Sequence, residues 1–263
     1  MSDINTELTD GVLRVEMNRP EKKNAMTGAM YSRLAEVMNK ADKNDDVRVV
    51  LWHGAGDSWT AGNDIADFQA NPPAASGSPQ GQLTEALIVF SKAIVVAVHG
   101  AAVGGGTTML THCDFVFATE NTRFQIPFIN LALTPEFGSS FLFPSRVGHL
   151  RAAELFMLGE PFSAAHAAEI GLVTRVVPDV DLLASATAVA RKLAAKPAGA
   201  LRTHKKLLKA QFTDQLRKAV EAEGQQFAER VRSPEAKEAF SAFFEKRPPN
   251  FTNLKPAPER TAA

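Results

Sequence analysis

The sequence predicts an α/β fold, and three observations carry that prediction. Two short runs, "VRVVLWHG" and "AIVVAVHG", are continuously apolar and β-branched, as strands covered on both faces are. Glycine turns follow them and lead toward helical segments, giving a strand, turn, helix, strand order. Beyond about Leu182 the strand signal fades apart from helices in succession. The short strands and hairpins set this pattern apart from a regular Rossmann wind.

In chain order, "INTELTDGVLRVEMN" reads as two strands around an Asp10-Gly11 turn, with Leu13, Val15 and Met17 alternating onto one face. An amphipathic helix follows, roughly Thr27 to Asn44, its stripe made by Met30, Leu34, Val37, Met38 and Ala41. "VRVVLWHG" is the next strand. Asn71 to Gly81, "NPPAASGSPQG", has the composition of a flexible surface loop. "AIVVAVHG" leads through glycines into the helix "GGTTMLTHC". "DFVFAT" and "GLVTRVVP", Gly171 to Pro178, supply two more strands. Helices are expected over 184–195, 199–209, 213–231 and 234–244. Four helices in a row cannot all bury their apolar stripes on one sheet, so they are expected to form a lid or a subunit interface. The tail from Pro248 is proline-rich and expected to be poorly ordered.

The chain has 263 residues, enough for a sizeable core. An apolar fraction of 45% and a charged fraction of 22% are those of a soluble globular protein. Lys plus Arg number 29, as do Asp plus Glu, so no global field favours nucleic acid or an anionic membrane. The single cysteine, Cys113, cannot form an intramolecular disulfide, which suits a reducing compartment. The polar start "MSDINTELTDG" is unlike a secretory signal, and no apolar run is long enough to span a bilayer. A cytoplasmic location, with neither a nucleic-acid nor a membrane partner, is the expectation.

Several motifs fail. "GAGDSW" has Trp59 where a dinucleotide fingerprint needs its third glycine. There is no Gly-Lys pair for a P-loop and no G-x-S-x-G, so Ser139 and Ser140 lack a nucleophile elbow. The six histidines lack metal-ligand spacing, and no metal is expected. Two glycine loops survive, "WTAGNDI" and "AAVGGGTTML". Each follows a buried strand and opens a helix, where free N–H groups point outward with the helix dipole behind them. Two such groups converging on one carbonyl oxygen make an oxyanion hole. A third feature is "LTPEFGSSFLF", which sets one acid, Glu136, among proline, glycine and large apolar side chains. A carboxylate there needs a reason, because burying an unpaired charge is costly. An oxyanion hole plus one sheltered base is the minimum equipment for removing a proton beside a thioester carbonyl. The plainer readings are a helix-start acid at Glu136 and glycines that serve tight turns alone.

The segments "NRPEKKNAM", "WTAGNDI", "VHGAAVGGG", "FQIPFINLALTPEFGSS" and "GLVTRVVP" lie in an order that resembles the enoyl-CoA hydratase/isomerase (crotonase) superfamily, over about Ile4 to Phe251. Within it the chain is most similar to the Δ3-Δ2-enoyl-CoA isomerases. The resemblance implies a crotonase-type spiral of strand–strand–helix repeats over 1–195. A helical C-terminal oligomerisation region, 196–263, would build a homotrimer or a hexamer of paired trimers. It implies an acyl-CoA thioester substrate, with coenzyme A part of that substrate and no separate cofactor. Carried over by position, the oxyanion donors are the backbone N–H groups of Asn63 and Gly105, next to Gly62 and Gly104. Ala61 to Ile65, with Asp64 orienting its loop, would contact the acyl-CoA. Lys22, Lys23 and Ala25 would lie along the CoA nucleotide. Lys246 or Arg247 would reach its phosphates.

The two glutamates with which hydratases of this superfamily activate water would fall at Thr108 and Phe128, and both are absent. The isomerases place their acid in the P-E segment, at Glu136. Phe128, Leu133 and Phe137 would exclude water around it. The implied activity is conversion of 3-enoyl-CoA to 2-trans-enoyl-CoA by one proton-shuttling base, in fatty acid metabolism. Two alternatives stay open: hydration or another crotonase-type reaction, and a non-catalytic acyl-CoA-binding module.

Overall fold

The computed structural model describes residues 2–72, 74, 77–252 and 254. Its strands are β1 (Ile4–Thr9), β2 (Val12–Met17), β3 (Val49–Gly54), β4 (Ala93–Val98), β5 (Ala101–Val103), β6 (Phe115–Thr119), β7 (Arg123–Gln125), β8 (Phe162–Ser163) and β9 (Arg175–Val177). The helices before the last strand are α1 (Gly28–Lys43), α2 (Ile65–Ala70), α3 (Pro79–Val89), α4 (Gly105–Thr108), α5 (Ser139–Val147), α6 (His149–Leu158) and α7 (Ala164–Glu169). After it come α8 (Leu182–Ala194), α9 (Ala198–Ala210), α10 (Thr213–Arg230) and α11 (Pro234–Glu245). No helix among the described residues is long and apolar enough to cross a membrane.

The main sheet runs β1-β2-β3-β4-β6-β9, antiparallel at the first pair and parallel thereafter. The Asp10-Gly11 turn takes φ values of 50° and 77°, which match the twist of a two-residue hairpin. Every residue of β3 and β4 is buried, because the sheet is covered on both sides. On one face, Val15, Met17, Val50, Trp52, Ile94 and Val96 join α1 and α3 in the larger core cluster. On the other face, Val49, Leu51, Val95 and Phe117 pack against Leu182, Ala186 and Ala190 of α8.

β5, β7 and β8 form a second sheet. Single parallel bridges, Thr60 to Ala102 and Met26 to Asn63, extend it across the chain. Each pass of the chain therefore leaves a long strand in one sheet, a short extended piece in the other, and then turns into a helix. This is the spiral of strand–strand–helix repeats that the resemblance implies.

Gly100 makes the corner from β4 to β5 at φ 59°, and a Cβ there would sit 1.9 Å from Asp57 O. Both the dihedral and the backbone overlap oppose a side chain. Gly100→Ala is expected to lower stability by about 2–4 kcal/mol, measured by chemical denaturation.

Two expectations change. The end of the Asn71–Gly81 loop is the first turn of α3: Ser78 Oγ accepts from Gly81 N, and Pro79 opens the helix. Residues 73, 75 and 76 of that stretch, and 253 and 255–263 of the tail, lie outside the described residues. The last four helices do not all leave the sheet, since α8 lies on it. α10 and α11 also return to the main core. Phe227 and Phe240 pack on Phe68 of α2 at centroid separations of 5.7 and 6.0 Å.

Candidate active site

The strand bridges set the first half of the site. Met26 N donates to Gly62 O, and Asp64 N donates to Met26 O. These bonds use the groups flanking Asn63 and leave its own N–H turned away from Met26. Gly62 lies against β5, where a Cβ would be 2.7 Å from Val103 O, so the Asn63 segment abuts Gly104 and Gly105. Gly104 takes φ 55° and ψ −120°, a region open to glycine, and starts α4. Gly105 is the first helical residue, and its N–H has no acceptor within the helix. Among the described residues, neither the Asn63 nor the Gly105 N–H donates a hydrogen bond, and both residues line one cleft of about 720 Å³.

Asp64 holds this loop from its other side. Its Oδ1 accepts from Ala66 N and Asp67 N as the cap of α2. Its Oδ2 accepts from Arg19 at 2.7 Å.

Glu136 supplies the second half. It is 6% exposed and stands on the turn before α5. Gln80 Nε2 donates to its Oε2 at 2.5 Å. Oε1 has no hydrogen-bond partner among the described residues. A Cβ on Gly105 would lie 2.6 Å from Glu136 Oε1 and 3.2 Å from the Tyr31 hydroxyl. That hydroxyl donates to Asn63 Oδ1 at 2.5 Å. An unpartnered carboxylate oxygen therefore meets the Asn63–Gly105 pair at the glycine Cα. Burial raises the Glu136 carboxyl to about 8, against the opposing pull of the Gln80 hydrogen bond.

The turn is anchored from below. His112 donates through Nε2 to Phe137 O at 2.6 Å, and burial lowers its imidazole to about 3, so the ring is a neutral donor.

Of the residues singled out in the sequence, Ala25, Ala61, Gly62, Asp64 and Ile65 line the large cleft with Asn63. Gly104, Gly105, Phe128 and Leu133 line it as well. Phe137 instead lines a pocket of about 80 Å³ together with Glu136. Between them lies a space of about 390 Å³, which shares Asn63 with the cleft and Gln80 with the Glu136 pocket. Lys23 and Lys246 line none of the three; both occupy left-handed turns, at φ 50° and 53°. Their neighbours Lys22 and Arg247 line the cleft, and Arg247 is paired with Glu238 and Glu245. Thr108 is buried, its hydroxyl directed to Gly104 O, and Phe128 presents a ring to the cleft.

Tyr31 and Gln80 were not legible as site residues. Tyr31 is the sole tyrosine of the chain, which was the one available signal. Gln80 lies in Asn71–Gly81, a stretch with the composition of a surface loop.

Residues 7–254 match the enoyl-CoA hydratase/isomerase family model. The chain belongs to that family. It is 32% identical to the 1,2-epoxyphenylacetyl-CoA isomerase of Escherichia coli K12 over 96% of this chain and 99% of that protein. It is 31% identical to enoyl-CoA delta isomerase 2 of Rattus norvegicus, over 90% of this chain and 62% of that one. The structure of Pseudomonas aeruginosa OdaA is similar at a TM-score of 0.90 and 46% identity, covering 92% of this chain and 99% of that one.

Proposed function

We propose that this enoyl-CoA hydratase/isomerase family member shifts the double bond of a 3-enoyl-CoA to give 2-trans-enoyl-CoA. One observation carries the reading: Glu136 turns an unpartnered oxygen to Gly105. The resemblance places the two glutamates of a hydratase at Thr108 and Phe128, where this chain has no acid. The carboxylate removes a proton from Cα, and the electron pair spreads through the dienolate onto the thioester oxygen. The N–H groups of Asn63 and Gly105 hold that negative charge. The protonated Glu136 then delivers the same proton to Cγ, the new double bond forms between C2 and C3, and no water is consumed. Coenzyme A belongs to the substrate and no further cofactor takes part. Lys22 and Arg247 on the cleft wall are the cations assigned to its phosphates. A homotrimer or a hexamer of paired trimers, built through residues 196–263, is the assembly inferred from the resemblance, and light scattering tests it.

Purified protein is offered 3-hexenoyl-CoA and crotonyl-CoA. Isomerisation of the first, at least about 100-fold faster than hydration of the second, is the expected result. Faster hydration favours the hydratase reading. Tight binding without turnover of either favours a binding module.

The pH profile is a second test. Because the base must be ionised and its carboxyl is raised to about 8, kcat/KM is expected to climb tenfold per pH unit below that value and level off above it. A profile flat from about pH 5 upward contradicts a base with that burial.

A further inference from the structure

Glu223 of α10 is a buried carboxylate that the proton shuttle above does not use. Its oxygens accept from the backbone N–H of Gly138 at 2.6 Å and of Ser140 at 2.7 Å. Those amides open α5, where N–H groups lack helical partners and the dipole favours negative charge. The same face of α10 presses on the turn. A Cβ on Gly138 would lie 2.3 Å from Leu216 Cδ1 and 3.1 Å from Val220 Cγ2.

Glu136 is followed by two left-handed residues, Phe137 at φ 62° and Gly138 at φ 68°. That conformation costs a residue such as Phe roughly 1–2 kcal/mol and persists where surrounding structure imposes it. Here His112 grips the turn from one side and Glu223 from the other. Glu223 also lines the 80 Å³ pocket of Glu136, facing Gln80 and Thr84 of α3. No Lys, Arg or His lines that pocket among the described residues, so Glu136 is the other ionisable group there. Burial lifts the Glu223 carboxyl, while the donors of Ser140 and Gly138 draw it back toward the charged form.

We infer that Glu223 is a positioning residue for the Glu136 base, pinning the 137–140 turn that aims the carboxylate at Gly105 and holding a negative charge behind it. This rests on the proton-shuttle reading of Glu136. The charge disfavours a second negative charge nearby, which keeps Glu136 a stronger base once ionised. The C-terminal helical region thereby enters the catalytic apparatus through α10.

Glu223→Gln and Glu223→Asp are compared with the parent protein and with Glu136→Gln on 3-hexenoyl-CoA, following kcat and KM against pH and the melting temperature. Glu223→Gln is expected to lower kcat about 10- to 100-fold with KM within about threefold. The acidic limb of its kcat profile should move to lower pH, since loss of the neighbouring charge eases ionisation of Glu136. Glu223→Asp keeps the charge, so its limb stays in place while kcat falls. A lowered melting temperature with unchanged kcat and limb in both variants makes Glu223 a helix cap alone and overturns the inference. Should Glu223→Gln not fold, Glu223→Asp decides: lost kcat at native KM supports positioning, and native kcat refutes it. Turnover retained by Glu136→Gln sinks the shuttle reading itself. An inactive Glu136→Gln beside unaffected Glu223 variants sinks this inference alone.

Discussion

Glu136→Gln is expected to lower kcat on 3-hexenoyl-CoA by roughly 10³- to 10⁴-fold while acyl-CoA affinity stays within about tenfold. The amide keeps the shape of the side chain and can still meet Gln80, but it cannot take a proton from Cα. A second consequence separates this variant from an ordinary loss of function. The carboxyl titrates near 4.5 when unperturbed and at about 8 in the fold, so the folded state holds its proton the more tightly. The stability that this group contributes is complete below about 4.5 and is lost as pH rises through about 8. Glutamine stays neutral throughout. Near pH 9 the variant should therefore be the more stable protein, by a difference on the order of 5 kcal/mol at 1.36 kcal/mol per pH unit. Near pH 4 the two should melt together. Chemical denaturation at the two pH values measures this, and a Glu136→Gln protein less stable at high pH would show the acid to be solvated or paired.

What could be read in advance divides along physical lines. β3 and β4 announced themselves because burial on both faces demands unbroken β-branched runs. α1 was legible because one face meets the core while the other meets water, and its observed caps, Thr27 and Asn44, fall at the expected ends. α3 gave no such stripe. Leu83, Thr84, Ala86, Leu87 and Ile88 are buried, while the exposed side carries Gln82, Glu85 and the apolar Val89, so polarity and exposure do not coincide along it, and a glycine- and proline-rich stretch precedes it. β5, β7 and β8 have three, three and two residues, and long-range pairing rather than local preference places them.

The site divides in the same way. Glu136 is an acid in apolar company along the chain, which is a local signal. Its partners lie far along the chain: Gln80 by 56 residues, and Glu223, through Gly138, by 85. No spacing within one helix or loop encodes such contacts. Lys246 and Arg247 show the limit at finer grain. Adjacent residues of one turn differ in whether they face the cleft, because the left-handed Lys246 reverses the chain there.

The remaining large effect belongs to Gly105→Ala. The new methyl group would stand 2.6 Å from Glu136 Oε1 and 3.2 Å from both the Tyr31 hydroxyl and Phe137 Cε2, so something has to move. None of the three can yield cheaply. Gln80 ties Glu136, His112 ties Phe137 through its carbonyl, and Tyr31 is bonded to Asn63. Displacement therefore reaches Glu136, the proposed base, the Asn63–Gly105 segment proposed as the oxyanion hole, or both. We expect kcat to fall about 10²- to 10³-fold, the scale of one lost oxyanion donor, with a stability loss of about 1–3 kcal/mol from overpacking. A double-mutant cycle separates the routes. If the methyl acts by pushing Glu136 aside, adding it to Glu136→Gln removes little more, and the two losses fall short of additivity by at least ~1 kcal/mol. Full additivity would mean that the methyl disturbs the amides alone. The unpartnered carboxylate oxygen and the glycine Cα would then not share the space in which the proton moves.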